Sequence, residues 1–196
     1  MDLLLILAIC FFLGSFPTAY ILVKRIFQKD IRRIGSGNPG MMNVLDNFGK
    51  RYAYFVGTID ILKGIIAVSI AKLYSPNETL AVLAGLTAIA GHDFTPFLKF
   101  KGGNGVATAG GAVLALMPFA SGIACMTGLI TAIVVKSRRF GGNIAVILVP
   151  IMGFYMNESD IFVFGSALIM LSIVLKVIFF EGFSLYYQKN KKVNID

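Results

Sequence analysis

A stretch without any charged residue runs from residue 102 to residue 135 and covers 34 positions. One straight helix of that length would be about 50 Å long at ~1.5 Å per residue, whereas the hydrocarbon core of a bilayer is ~30 Å thick. Pro118 lies near the middle of the stretch, where it would interrupt a helix. The stretch therefore predicts two short membrane crossings that meet around Met117–Ser121.

The composition of the whole chain agrees with a membrane protein. Hydrophobic residues make up 57% of the 196 positions and charged residues only 14%, well below the roughly one quarter that is usual in soluble domains. We predict an all-α integral membrane protein that forms a single domain over residues 1–196. About seven transmembrane helices are expected, with six as an alternative, because several runs are near the lower length limit. The predicted crossings are Leu3–Val23, Tyr52–Leu73, Thr79–Gly91, the two halves of Gly102–Val135, Phe140–Asn157 and Ile161–Phe180.

Basic residues are concentrated in alternate predicted loops. The net charge is +8, and 15 of the 18 Lys and Arg residues lie in four segments, 24–51, 92–104, 136–142 and 189–196. The turns between these segments hold no Lys or Arg, and two of the three carry acidic residues instead, Glu78 in one and Glu158 and Asp160 in the other. This alternation follows the positive-inside rule and predicts an external N-terminus and a cytoplasmic C-terminus. It also argues against nucleic acid as a partner and indicates a lipid bilayer.

The stretch Gly91–Gly111 combines the chain's only histidine, His92, with a glycine-rich loop. Glycine lets backbone N–H groups turn inwards, and a helix that starts after the loop directs its positive end to the same place. The Walker spacing of a P-loop is absent. We expect the backbone amides of this loop to converge on a phosphate at the cytosolic membrane boundary. The residues expected to bind it are Lys101, Gly102, Gly103, Asn104, Gly105 and Val106.

Ionisable residues at predicted membrane depth form a second candidate feature. Asp60 and Lys63 lie three positions apart on one face of a predicted helix, where they can pair. Two roles are open for this pair, a buried ion pair that locks helices together and a direct part in catalysis. We expect the pair to support the site residues without contacting the substrate. His92 has two readings as well, a general base near neutral pH or a structural residue that holds a loop carbonyl.

The longest polar stretch contains the sequence IRRIGSGNPGMMN at Ile31–Asn43. Its three glycines and Pro39 exclude a regular helix, and Ser36, Asn38 and Asn43 supply short polar side chains. An ordinary cytoplasmic turn and a second loop that binds phosphate or carboxylate are both compatible with this pattern.

Three motifs together resemble those of the bacterial acyl-phosphate-dependent glycerol-3-phosphate acyltransferases. They are GSGNPGMMN at Gly35–Asn43, DILKG at Asp60–Gly64 and GHDFTPFLKFKGGNGVAT at Gly91–Thr108, and the likeness extends over nearly the whole chain. The resemblance implies a seven-helix enzyme of the bacterial inner membrane. Such an enzyme transfers a fatty acyl group from acyl phosphate to the 1-hydroxyl of glycerol 3-phosphate and gives lysophosphatidic acid. No cofactor and no metal is implied.

The resemblance also implies roles for individual residues. We expect His92 and Ser36 to be catalytic, with Asp60 and Lys63 behind them. No serine or cysteine nucleophile with a partnered base is visible, so direct transfer is favoured over an acyl-enzyme. The residues expected to bind substrate are Asn38, Gly40, Asn43, Asn190 and the loop residues from Lys101 to Val106.

Several positions depart from the pattern of the family. Asp46 stands where the first motif of the family has arginine, and Asn104 where its glycine loop has lysine. Gly142 replaces a serine, and Tyr187 replaces a histidine. The family uses most of these groups to hold glycerol 3-phosphate, and a carboxylate in place of arginine opposes phosphate binding. Two alternatives follow, an enzyme that uses another alcohol as acceptor, or a non-catalytic membrane protein that binds lipid.

Overall fold

The structure is a computed structural model that describes residues 2–181, including all of their side chains except those of residues 138, 139, 143, 180 and 181. Within this range the chain is all-helical, as predicted. Tyr187, Asn190 and the basic C-terminal tail lie outside the described residues. Two 3₁₀ turns and a π turn accompany the α-helices, at Ile31–Arg33, Pro96–Leu98 and Val177–Glu181. The α-helices are α1 (Leu3–Ser15), α2 (Thr18–Phe27), α3 (Met41–Phe48), α4 (Lys50–Tyr74), α5 (Glu78–Asp93), α6 (Val106–Leu116), α7 (Pro118–Val134), α8 (Arg138–Tyr155) and α9 (Asp160–Lys176).

Four helical segments in the described part of the chain are long and apolar enough to cross a membrane. They are Leu3–Phe27, Lys50–Tyr74, Glu78–Leu98 and Asp160–Phe179. Three shorter apolar helices accompany them, α6, α7 and most of α8. The predicted interruption of the charge-free stretch is confirmed, because α6 ends at Leu116 and α7 begins at Pro118. The chain is therefore built as a multi-pass membrane protein.

The first crossing is interrupted at Phe16 and Pro17, between α1 and α2. Proline has no N–H group and cannot continue the hydrogen-bond ladder of α1. The carbonyl groups at the break are satisfied by side chains from other elements. Thr95 Oγ1 donates to the Ser15 carbonyl at 2.6 Å, and Lys63 Nζ donates to the Phe16 carbonyl at 2.6 Å. Because an unpaired carbonyl is costly in a membrane, the break ties the first crossing to α4 and to the segment that follows α5.

Helices α4 and α6 pack with almost no side chain between their backbones. A Cβ atom at Gly64 would overlap the Thr108 carbonyl, and a Cβ atom at Gly111 would overlap the Ile61 carbonyl. Such close contacts between small residues drive helix association in bilayers. Helix α6 has only 11 residues, which corresponds to about 16 Å. Because Thr108 in its first turn contacts Gly64, α6 begins beside the middle of α4 and not beside its end.

The C-terminal end of α6 is held by Lys72 of α4. Lys72 Nζ donates to the Ala115 carbonyl at 2.7 Å and to the Leu116 carbonyl at 3.3 Å, and it lies 4.8 Å from the centre of the Phe162 ring. The last carbonyl groups of a helix have no partner within the helix. Lys72 supplies one, and α6 is thereby fixed at both ends of its contact with α4.

The contact between α4 and α6 generates a testable prediction. We expect Gly111→Ala to lower the free energy of unfolding by about 1–3 kcal/mol, measured by thermal unfolding in lipid nanodiscs, because the added methyl group separates the two helices. Gly110→Ala is the matched control, since a Cβ atom there meets no atom within 4 Å. The control is expected to hold or raise the melting temperature, because alanine favours helix over glycine. Equal melting temperatures for both variants would contradict the tight contact.

Candidate active site

The loop between α5 and α6 folds back onto the end of α5. The Gly102 N–H donates to the Asp93 carbonyl at 3.0 Å, and the Gly103 N–H donates to the His92 carbonyl at 3.2 Å. Both carbonyls belong to the last turn of α5, which has no helical partners for them. The expectation that every amide of the loop converges on a phosphate is therefore wrong for Gly102 and Gly103. Their amides fix the loop to the helix instead.

The second half of the loop leads directly into α6. Gly105 has a left-handed backbone with φ of +66°, and α6 begins at Val106. The Ala109 N–H donates to the Gly105 carbonyl at 2.7 Å, so the amides that precede Ala109 point out of the helix end. Lys101 is exposed and Asn104 is half-buried, and the Lys101 N–H donates within the loop to the Leu98 carbonyl at 3.3 Å. The backbone N–H groups that can donate hydrogen bonds to an anion are thus those of the first turn of α6.

The His92 imidazole lies against Gly103. A Cβ atom at Gly103 would overlap the ring Nε2. The other ring nitrogen, Nδ1, is 3.4 Å from Thr108 Oγ1 and 3.9 Å from Asp60 Oδ1, and the side chain is 9% exposed. When Nδ1 carries the proton, the Nε2 lone pair faces the glycine loop. In this arrangement Thr108 and Asp60 hold the ring from the Nδ1 side, which leaves Nε2 in position to act as a general base.

The predicted pairing of Asp60 with Lys63 is confirmed. Lys63 Nζ lies 2.6 Å from Asp60 Oδ1, and the two side chains are 4% and 3% exposed. The same Asp60 oxygen accepts from Thr18 Oγ1 at 3.2 Å, while Lys63 Nζ also donates to the carbonyl at the break between α1 and α2. Charges at this depth need such partners. Asp60 Oδ1 lies 3.9 Å from His92 Nδ1, and the supporting role of the pair stays a prediction.

The loop of the first motif is organised by Asn43, which is 4% exposed. Asn43 Nδ2 donates to the carbonyls of Ile34 at 2.9 Å and Asn38 at 3.0 Å. Asn43 Oδ1 accepts from the Ser36 N–H at 3.3 Å and from Asn47 Nδ2 at 2.9 Å. The amide of Asn43 is therefore engaged by the protein, and Asn43 shapes the loop in place of the expected contact with substrate.

The first motif meets the glycine loop in a narrow cleft. Pro39 lines this cleft together with His92, Gly102, Gly103 and residues of the break between α1 and α2. Of the other residues expected at the site, Ser36 is exposed and its Oγ accepts from the Asn38 N–H at 3.4 Å, and Gly40 precedes α3 as its N-terminal cap. Ser36, Asn38 and Gly40 thus belong to the loop that carries Pro39 to the cleft.

Two buried charged residues at this end of the bundle have no place among the site residues expected from the sequence. Asp93 and Lys176 are 3% and 8% exposed. Lys176 Nζ donates to the Asp93 carbonyl at 3.2 Å and lies 4.1 Å from the centre of the Phe94 ring. Because the Asp93 carbonyl also accepts from Gly102, Lys176 connects α9 to the glycine loop. The available signal was a lysine at the end of an otherwise apolar crossing.

Two of the departures from the family pattern lie on helix surfaces. Asp46 is exposed on α3, and Gly142 is exposed on α8. A Cβ atom at Gly142 would meet no atom within 4 Å. Neither residue lines the cleft around His92.

The connection made by Lys176 can be tested by Lys176→Met, which keeps the length of the side chain and removes its charge. We expect the rate of the acyl transfer that the resemblance implies to fall roughly tenfold, because a charged hydrogen bond of about 1.5–3 kcal/mol to the loop is lost. The melting temperature should fall as well, because the folded protein loses the same hydrogen bond and the buried Asp93 carboxyl group loses a nearby cation. Lys72→Met is the matched control, as Lys72 also binds carbonyls and an aromatic ring, but at the far end of α6. Equal rate losses in both variants would contradict a specific effect on the site.

Known proteins share both the sequence and the fold. The family model described as "Glycerol-3-phosphate acyltransferase" matches residues 4–182. A glycerol-3-phosphate acyltransferase of Prochlorococcus marinus (strain MIT 9215) is 41% identical over 180 residues, which cover 90% of each chain. One of Thermoanaerobacter pseudethanolicus is 38% identical over 168 residues, which cover 84% of this chain and 83% of the relative.

Two crystal structures of PlsY (YgiH), an integral membrane glycerol 3-phosphate acyltransferase, have the same fold. The glycerol 3-phosphate form superimposes with a TM-score of 0.82 at 28% identity, covering 89% of this chain and 88% of that chain. The lysophosphatidic acid form gives a TM-score of 0.80 at 26% identity, covering 95% and 92%. With a family match over nearly its whole length, a membrane-spanning helical fold and a buried histidine under a glycine loop, this chain belongs to the glycerol-3-phosphate acyltransferase family.

Proposed function

We propose that this protein is a membrane acyltransferase that moves a fatty acyl group from acyl phosphate to the 1-hydroxyl of glycerol 3-phosphate, giving lysophosphatidic acid for phospholipid synthesis. Family membership supports acyl transfer to glycerol 3-phosphate, which the relatives carry in their names, and the resemblance of the three motifs supports acyl phosphate as the donor. The observation that carries the proposal for the site is the position of the His92 ring between the glycine loop and the Asp60–Lys63 pair.

The phosphate of the donor is placed by this proposal at the start of α6. The amides of the first turn and the positive end of the helix dipole favour an anion there. Lys101, which is exposed on the same loop, adds a positive charge. Lys101, Asn104, Gly105 and Val106 keep their proposed binding roles, whereas Gly102 and Gly103 act through the shape of the loop.

His92 is proposed as the general base. The hydroxyl oxygen of the acceptor attacks the acyl carbon, Nε2 of His92 takes the hydroxyl proton, and the bond from the acyl carbon to the phosphate oxygen breaks, so that inorganic phosphate leaves. Holding donor and acceptor in one cleft supplies much of the acceleration. Ser36, proposed as a second catalytic residue, lies on the loop that approaches the cleft through Pro39. Asn190 is proposed to bind the acceptor.

An apolar groove between α5 and α9 suits the acyl chain of the donor. Its volume is about 290 Å³, and Asp93 and Lys176 lie at its polar end, next to the glycine loop. The walls are apolar, which favours a hydrocarbon chain. The residues that form these walls are Leu86, Ile89, Ala90, Phe94, Leu175 and Phe179.

The proposed topology has seven crossings, an external N-terminus and a cytoplasmic C-terminus, within one domain in the bacterial plasma membrane. Four long helical segments and three shorter apolar helices supply seven candidates. The distribution of Lys and Arg over alternate loops supports this orientation.

Gly103→Ala tests the position of His92. The new Cβ atom overlaps Nε2 of the ring, so we expect the ring to move and kcat to fall about a hundredfold, measured as formation of lysophosphatidic acid. Gly122→Ala on α7, where a Cβ atom meets no atom within 4 Å, serves as the control and should keep the normal rate. Unchanged kcat in Gly103→Ala would remove His92 from the reaction.

The reaction itself is tested with the purified protein in nanodiscs, palmitoyl phosphate and radiolabelled glycerol 3-phosphate. We expect labelled lysophosphatidic acid and an equal amount of inorganic phosphate, and no product when acyl-CoA replaces acyl phosphate. A panel of uncharged alcohols tests the second candidate, another acceptor, which the exposed carboxylate of Asp46 and the missing lysine at Asn104 favour. Transfer to such an alcohol without transfer to glycerol 3-phosphate would replace the first candidate. No turnover of acyl phosphate would leave a lipid-binding protein.

A further inference from the structure

Four exposed cations lie at the adjoining ends of two membrane-spanning segments. Lys24 and Arg25 are in the last turn of the span Leu3–Phe27, and Lys50 and Arg51 begin the span Lys50–Tyr74. The two span ends are held together by aromatic contacts. The ring centre of Phe27 lies 5.1 Å from that of Tyr52 and 4.8 Å from that of Phe48. The four cations therefore share one boundary of the bilayer.

Two further exposed cations, Lys29 and Arg33, belong to the segment that joins these span ends. The neighbouring Arg32 is different, because it pairs with Asp30 at 2.7 Å and lies 4.9 Å from the centre of the Tyr20 ring. The hydrogen bond from Arg32 lowers the pKa of Asp30 to about 2, so the Asp30 carboxylate is ionised at neutral pH and balances the charge of Arg32. The six exposed cations have no salt-bridge partner among the residues that the structure describes.

Exposed apolar side chains lie next to these cations on the same helices. Ile26 is 52% exposed, and Tyr54 and Phe55 are 57% and 55% exposed. Each lies within one helical turn of a cation of the group, on a segment that crosses the membrane. Apolar side chains of this kind lie in the acyl region, so the cations beside them lie at the depth of the headgroups. None of the six cations lines the cleft around His92.

We propose that this basic surface, formed by Lys24, Arg25, Lys29, Arg33, Lys50 and Arg51, binds the headgroups of anionic phospholipids of the surrounding bilayer. Charge complementarity carries the assignment, because segment 24–51 contains seven cations against two carboxylates, and the Asp30 carboxylate pairs with Arg32, which is not one of the six. Clusters of Lys and Arg immediately beside a span attract anionic lipids in this way. The proposal goes beyond the acyl transfer reaction and does not depend on it.

The test uses nanodiscs that contain phosphatidylcholine and phosphatidylglycerol in equal amounts, with native mass spectrometry to count the lipids that the ejected protein retains. The wild-type protein should retain phosphatidylglycerol preferentially, and the preference should fall as salt rises. In the variant Lys24→Gln/Arg25→Gln/Lys50→Gln/Arg51→Gln, we expect the preference to fall roughly tenfold. The control Lys99→Gln/Lys136→Gln removes exposed cations from two other loops and should keep the preference.

Two pairwise variants, Lys24→Gln/Arg25→Gln and Lys50→Gln/Arg51→Gln, keep the test decisive if the fourfold variant does not fold. Each should lose about half of the preference on a logarithmic scale. The proposal would be overturned if every variant retained as much phosphatidylglycerol as the wild-type protein. It would also be overturned if millimolar inorganic phosphate raised the melting temperature as much as phosphatidylglycerol does, since the surface would then bind free phosphate. Unchanged lipid retention with a raised KM for glycerol 3-phosphate would assign the surface to substrate capture instead.

Discussion

The architecture depends on finding partners for a lysine and for two backbone carbonyls inside the membrane. Pro17 breaks the first crossing and frees the carbonyls of Ser15 and Phe16. Lys63 binds the Phe16 carbonyl and Asp60 with the same ammonium group. The Lys63 ammonium group and the Asp60 carboxylate would each be costly alone in a low dielectric, so they must stay together. The Phe16 carbonyl, which also accepts from the Thr18 N–H at 3.0 Å, gives the ammonium group a further partner. Their pairing fixes the first crossing against α4 and places the Asp60 carboxylate beside the ring of His92.

Much of the fold can be predicted from the sequence, because residue types indicate where a buried charge or a broken helix would cost free energy. The interruption near Pro118 was predicted, and the crossing predicted at Tyr52–Leu73 differs from α4 by two residues at one end and one at the other. The pairing of Asp60 with Lys63 follows from helical spacing alone. The short helix α3 was not predicted, because the glycines before it suggested a loop throughout.

The site was less predictable because it depends on where backbone groups point and on contacts distant in sequence. Glycine allows Gly102 and Gly103 to turn their amides inwards, but residue type does not say whether an anion or the end of α5 receives them. The contact between Lys176 and Asp93 joins residues 83 positions apart. Asn43 looked like a polar group for a ligand and is used by the loop itself. In each case the polar group already forms a hydrogen bond within the folded protein.

Because α6 is short and begins beside the middle of α4, the glycine loop before it lies beside the middle of α4 as well. This position affects the chemical stability of the proposed donor. Asp60 lies ten residues into α4, which places the level of His92 about 15 Å below the basic end of that helix. An acyl phosphate is a mixed anhydride that water cleaves without help. In the proposed mechanism the acyl carbon reacts at the level of His92, between packed helices and away from the bulk solvent. Such a position suppresses hydrolysis relative to attack by a bound alcohol. The depth of the cleft around His92 would then set the ratio of acyl transfer to hydrolysis.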